Sequence, residues 1–290
     1  MKNKFISLVV LLAILVVGGW FVFSGQLRSP EKSVESSFVN LIKGKNGHIR
    51  SEIIFQPGKE NQASLQEIKI TTNGDFQKGK DGSLELATTF SVLGQTPGAS
   101  LSGKGEVAFV GGDVFYRIDE LPPIFSDTEK IIGKWIGGAS NVTILSDAFR
   151  ENILKALKEQ KIFAEVKKIG NEKVDGARTA HMQVKLSSDG YASFLAELVN
   201  QSGKGTPVTK EQIEKNISQL KDLPFDVWVD SSGNLKKINI VRTDATSGSV
   251  TNVSIYFSKF EGKLKIEVPK NVLQVAVPAA SPSPSGSLSK

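Results

Sequence analysis

The first stretch of the chain is unbroken by charge: Phe5 to Phe23 holds sixteen apolar side chains among nineteen residues. As a helix it would run about 28 Å at 1.5 Å per residue, close to the hydrocarbon thickness of a bilayer. Lys2 and Lys4 precede it, so the positive-inside tendency predicts a cytoplasmic stub at 1–4, a single-pass anchor at 5–24 and an extracytoplasmic remainder in the cell envelope. A cleaved signal peptide is the alternative, with Val22 and Ser24 as the small residues before Gly25.

Beyond the anchor the period of the pattern decides the elements. Val34, Phe38, Leu41 and Ile42 fall on one face of a helix that begins at Ser29 or Pro30 and stops near Gly44 to Gly47. From about 48 to 120 the alternation becomes two-residue, predicting a meander of about five strands, with Asn73-Gly74, Asp81-Gly82 and Gly111-Gly112 at the reversals. A second helix follows Ser146, carrying Phe149, Ile153, Leu154 and Leu157 on one face. Two strands (FAEVKKIG and ARTAHMQVKLS) and two more helices come next, the last opened by a Thr209/Gln212 capping box. A final meander contains PFDVWVD, NLKKINIVR, VTNVSIYFSKF and KLKIEV. The tail, 276–290, is Pro/Ser-rich and too poor in large apolar residues to pack. This order predicts one α+β domain over 31–275, a curved antiparallel half-barrel sheet with helices across its concave side.

Composition narrows the chemistry. The 290 residues carry a net charge of +6, no cysteine and two histidines, which excludes disulfides, thiolate zinc sites and an acylated lipobox cysteine, and leaves little for a metal centre or a Ser-His-Asp relay. Without the first 24 residues the charge falls to +4, with basic and acidic residues interspersed, so no nucleic-acid footprint is formed. Gly103-x-Gly105 is followed by Ala108 but lies in strand periodicity and opens no helix, so it is not a dinucleotide loop. Asp226, Asp230 and Asn234 do not follow the calcium-loop order. Glu165 and Glu172, or Asp226 and Asp230, cannot be given a glycosidase spacing from sequence. His181 alternates with Met182, Val184 and Leu186 and reads as a hydrogen-bonded sheet histidine; His48 opens a strand. No catalytic residue, metal site or cofactor is expected, and the chain is read as no enzyme.

What remains is an apolar surface. Phe225, Val227 and Val229, then Ile238 and Ile240, then Val253, Ile255 and Phe257 alternate with polar residues on three consecutive strands, and Met182, Val184 and Leu186 do the same on an earlier one. These residues are either the ordinary core beneath the helices or the lining of a cavity for a lipid chain.

Two segments carry a resemblance. Gly170, Glu172, Val174, Asp175, Gly176, Thr179 and His181 match a G-x-E-x-V-D-G-x-x-T-x-H/Y strand, and Val227, Trp228, Val229, Asp230, Gly233 and Leu235 a V-W-V-D-x-x-G-x-L hairpin. In these the chain resembles the LolA/LolB-like superfamily, and within it the LppX/LprG-type lipid-binding lipoproteins and related extracytoplasmic proteins. The resemblance implies a half-barrel closed by helices around a hydrophobic cavity for acyl chains of lipids, glycolipids or lipoproteins. It departs from the lipoproteins in lacking the lipobox cysteine, so residues 5–24 stand as the attachment. The expected partner is a lipid or acylated molecule. The rival reading is an envelope interaction or sensor module that binds a protein partner with the same fold.

Overall fold

The computed structural model describes residues 29–58, 65–79, 84–122, 131–137, 147–201, 209–217, 223–258 and 266–273. The segment predicted as an anchor and the tail from 276 lie outside these; among the described residues no helix is long and apolar enough to cross a membrane.

The first meander comprises β1 (Asn46–Gln56), β2 (Glu67–Lys78), β3 (Leu84–Thr96), β4 (Ala99–Val110) and β5 (Asp113–Glu120), with the short β6 (Trp135–Gly137) beside β5. The second comprises β7 (Phe163–Val174), β8 (Ala177–Leu186), β9 (Phe225–Asp230), β10 (Leu235–Thr243) and β11 (Val250–Ser258). All neighbouring strands are antiparallel, and the order is β6-β5-β4-β3-β2-β1-β11-β10-β9-β8-β7. β1 pairs with β11 from His48 opposite Ser258 to Gln56 opposite Val250, which fuses the two meanders into one eleven-stranded sheet.

Helix α1 (Pro30–Lys43) has its first free N–H groups capped by Ser29, whose Oγ accepts from the Lys32 N–H, and proline at its first position. It packs on β7, β9 and β10. Its buried Asn40 donates from Nδ2 to the Gly233 carbonyl at 2.7 Å, tying the helix to the β9–β10 turn. Helix α2 (Asp147–Glu159) lies against α1, α3 (Ser188–Gln201) against α2, and α4 (Lys210–Ile217) against α3. The Thr209/Gln212 capping box forms as expected, with Thr209 N–H to Gln212 Oε1 at 2.8 Å and Gln212 N–H to Thr209 Oγ1 at 3.3 Å. The helices therefore sit over the second meander, on the face that carries Val227 and Ile238.

Two predicted features take another form. Asn73-Gly74 is not a reversal but the middle of β2. Gly74 is there because a Cβ would come within 2.5 Å of the Ala87 carbonyl oxygen and the Thr88 side chain. Of the strand expected at KLKIEV, residues 263–265 lie outside the described residues, and Ile266 to Val268 run without strand structure. The free side of β11 is already taken by β1, so a further strand has no edge to join.

Both outer edges are blunted. Two register shifts against β8 interrupt β7, which also presents Lys167, Lys168 and Lys173, a combination that discourages pairing with another chain. At the other end Leu273 covers β6, its N–H donating to the Trp135 carbonyl at 2.8 Å.

Glycines on the helix-facing side of the first meander let aromatic rings lie on backbone. A Cβ on Gly105 would stand 2.3 Å from the Arg117 carbonyl oxygen and 2.7 Å from the Phe90 ring. Gly105→Ala is expected to destabilise the protein by about 1–3 kcal/mol, seen as a lower denaturant midpoint at unchanged m-value.

Candidate functional site

The strand residues singled out from sequence share one face and one cluster. Met182, Val184, Phe225, Val227, Val229, Ile238, Ile240, Val253, Ile255 and Phe257 are all buried, with Val184, Val227, Ile238 and Ile255 at 0% exposure, while Leu186 is half-buried at the margin. Cross-strand register explains the grouping: Ile238 stands between Val227 and Ile255, and Ile240 between Phe225 and Val253. Val34, Phe38 and Ile42 of α1, Ile153 and Leu157 of α2, and Phe194 and Leu195 of α3 complete the cluster. Phe38 meets Phe163 at a ring separation of 5.8 Å. These residues form the helix-packed part of the face.

The same face continues past the helices. Val253 of β11 pairs with Ile53 of β1, Ile53 with Ile70 of β2, and Ile70 with Val92 of β3. Leu86 and Phe90 of β3 and Val107 of β4 point the same way by strand alternation. All six side chains are half-buried, and at the far end Tyr116 of β5 is 40% exposed. Within this surface Ser51 and Thr72 satisfy each other through their hydroxyls at 2.7 Å, so a polar pair sits in the apolar row without an orphan group. This half of the face was not singled out from sequence; its signal was the alternation of Ile68, Ile70, Leu84, Leu86, Phe90 and Val92, visible only as strand periodicity until the register placed it.

The two motif segments converge on the opposite face and hold β7, β8 and β9 together. Glu172 accepts from the Trp228 indole N–H at 2.9 Å through Oε2 and lies 2.8 Å from His181 Nδ1 through Oε1. His181 Nε2 is 3.0 Å from Asp226 Oδ1, and the imidazole stacks on the Trp228 ring at 4.4 Å. Lys237 lies over the Trp228 and Tyr256 rings, and Arg50 over Tyr256 at 4.2 Å. The row is one line of direct cross-strand neighbours from His181 through Trp228, Lys237 and Tyr256 to Arg50. Asp175 and Gly176 close the β7–β8 hairpin with φ of 47° and 80°, the signature of a two-residue turn with both residues left-handed. Asp230 accepts from the Ser232 and Asn234 N–H groups through Oδ1.

This arrangement is a brace. The His181 nitrogens both face carboxylates, Asp230 is occupied by its own turn, and among the described residues no group of histidine and carboxylates is placed to hold a metal ion. The carboxyl of Glu172 is held below the usual glutamate range, first by the Trp228 hydrogen bond and then by that of His181. One group in the helix layer stands out: the Tyr191 hydroxyl is fully buried, without a partner among the described residues, and burial pushes its pKa far above that of an ordinary tyrosine.

No protein-family model matches the chain, and no curated protein matches its sequence. Among solved structures it is similar to LprF from Mycobacterium bovis, 14% identical over 83% of this chain and 96% of that one, at a TM-score of 0.40. It is also similar to lipoprotein LppX of Mycobacterium tuberculosis, 11% identical over 82% and 98%, at 0.39. A lipoprotein-sorting domain from Vibrio parahaemolyticus is 8% identical over 75% and 85%, at 0.18. These are proteins of the group that the two motifs resemble.

Two outcomes follow from the brace and the orphan hydroxyl. A depressed carboxyl stabilises the fold at pH above its unfolded value and loses that contribution as pH falls through the folded one. Glu172→Gln should therefore flatten the loss of thermal stability on acidification below the ordinary glutamate pKa of 4.5, while leaving the stability at neutral pH less changed than Trp228→Ala does. Tyr191→Phe removes an unpaired buried hydroxyl and should raise the unfolding free energy by about 1 kcal/mol in denaturant titration.

Proposed function

We propose that the chain is a membrane-anchored extracytoplasmic binding protein for an apolar ligand, a lipid, glycolipid or lipoprotein acyl chain, held on the helix-facing side of the sheet. The observation that carries this reading is the unequal covering of one continuous apolar face. Packed helices seal it over β7, β9 and β10, while Ile53, Ile70, Leu86, Phe90, Val92 and Val107 remain half-buried on the first meander. A half-buried apolar row that no described helix seals is the kind of surface that marks a binding site. Each 100 Å² that a ligand covers contributes about 2.5 kcal/mol of gross burial, without needing a charged partner.

In this reading the sheet curves as a half-barrel with the apolar face inside. The acyl chain lies along the half-buried row and ends against Met182, Val184, Leu186, Phe225, Val227, Val229, Ile238, Ile240, Val253, Ile255 and Phe257, which form the closed end of the site under the helices. Residues 5–24 hold the domain at the membrane from which the ligand is taken or to which it is given. The brace on the other face supports the sheet and takes no part in the chemistry, so the protein acts by binding and not by catalysis.

The test is displacement of a fluorescent acyl probe, cis-parinaric acid, from the full chain. Val92→Asp should weaken probe binding by about tenfold or more, a loss of at least 1.4 kcal/mol, with little change in thermal midpoint. Val227→Asp, which buries a charge in the closed core, should unfold the protein. Unaltered probe binding by Val92→Asp would place the ligand elsewhere.

A further inference from the structure

The face away from the helices carries a recess with a row of polar residues on its floor. Asn73 of β2, Thr89 of β3 and Glu106 of β4 are direct cross-strand neighbours, and their row continues through Arg117 to Trp135. Residues 266–273 cross this face as a strap. Ile266 and Val272 pack with Trp135 against Ala108, Val110 and Phe115, and Leu273 is hydrogen-bonded to Trp135 and Gly137. Between strap and sheet lies a groove of about 550 Å³ bounded by Asn73, Asp75, Thr89, Glu106, Trp135 and residues 266–270. It runs into a hollow of about 240 Å³ that shares Asn73, Thr89 and Glu106 and adds Thr71, Ser91 and Asp119. The larger volume lies within the range of small-ligand sites, about 300–1,000 Å³.

The lining selects a ligand by exclusion and by match. β2, β3 and β4 are interior strands whose backbone groups are spent on their neighbours, so a peptide cannot add as a strand. The Arg117 guanidinium is neutralised by Glu106 and Asp119, both at 2.7 Å, and Lys104 by Glu120 at 2.8 Å, which leaves Lys270 of the strap as a single further cation of the described lining and no cluster of cations for phosphate among the described residues. The floor between Ala87, Thr89 and Glu106 carries no large apolar side chain, and those of the lining, Trp135, Ile266 and Val268, belong to β6 and the strap. What it offers is a graded row of polar groups. Asn73 turns Oδ1 to His48 Nε2 at 2.9 Å and leaves its amide N–H₂ without a partner among the described residues. Thr89 donates its hydroxyl to the Asn73 carbonyl at 3.1 Å and can still accept. Glu106 binds Arg117 through Oε1 and leaves Oε2 without a partner among the described residues. Donor, acceptor and charged acceptor stand on successive strands about 4.8 Å apart, beside the amphipathic ring of Trp135.

We propose that this groove binds a neutral saccharide, whose hydroxyls both donate and accept and so match the Asn73–Thr89–Glu106 row. The site is independent of the apolar face on the other side of the sheet, and either can fail without the other. The full chain, held in lauryldimethylamine oxide micelles that carry no sugar headgroup, is titrated calorimetrically with maltohexaose, cellohexaose, chitohexaose and, as the anionic counterpart, hexagalacturonate. At least one neutral glycan should bind saturably with a Kd below about 1 mM. Asn73→Ala and Glu106→Ala should each weaken it about tenfold or more at an unchanged thermal midpoint; if either lowers the midpoint, the exposed Thr89→Ala provides the same comparison. No saturable binding by any neutral glycan, indifference to the substitutions, or tighter binding of hexagalacturonate would overturn the proposal.

Discussion

The pairing of β1 with β11 is the interaction on which the rest of the molecule depends. It joins Ile49 to Phe257, Ser51 to Ile255 and Ile53 to Val253, residues separated by some two hundred positions in sequence. Without it the chain would hold two meanders, each with a long unpaired edge and half an apolar face. With it there is one sheet, one continuous apolar side and no place for another strand beside β11. A contact of such sequence separation closes a long loop before it is rewarded by burial, which makes it entropically costly and slow to form.

The sheet is asymmetric in two directions. Across its thickness, one side is apolar and meets the helices, and the other is largely polar apart from the small cluster under the strap, braced by the Glu172, His181 and Trp228 contacts and by the cation–aromatic row from Lys237 to Arg50. Along its width, the second meander is sealed by α1 with α2, α3 and α4 behind it, and among the described residues no helix packs comparably on the first. In the proposed function, binding capacity follows from the second asymmetry, because a face that is closed everywhere is a core and one that is open everywhere exposes too much apolar surface.

Sequence periodicity located the helices and most strands because each has to present one dry face. It placed Val227, Ile238 and Ile255 on a shared side because their alternation is strict. It could not rank that side against the row through Ile70 and Val92, since which half the helices cover is set by where α1 docks, through Asn40 on Gly233 and Phe38 on Phe163. Asn73-Gly74 looked like a turn because the local signal is the same whether glycine serves a reversal or a close backbone approach; only the neighbouring Thr88 distinguishes them. The motif residues were legible as strands and turns, and their mutual contacts became visible once β7, β8 and β9 lay side by side. The groove was not legible at all, because it gathers residues from β2, β3, β4 and β6 under a strap of which periodicity assigns only 266–268 to a strand.

The central claim is that the open half of the apolar face holds a lipid. Native mass spectrometry of the full chain, released from the membranes in which it was made, followed by extraction and analysis of what it carries, tests this most directly. The account predicts a bound species with at least one acyl chain, lost on extraction and regained on exposure to membrane lipid. A chain that emerges empty and takes up no lipid would contradict it.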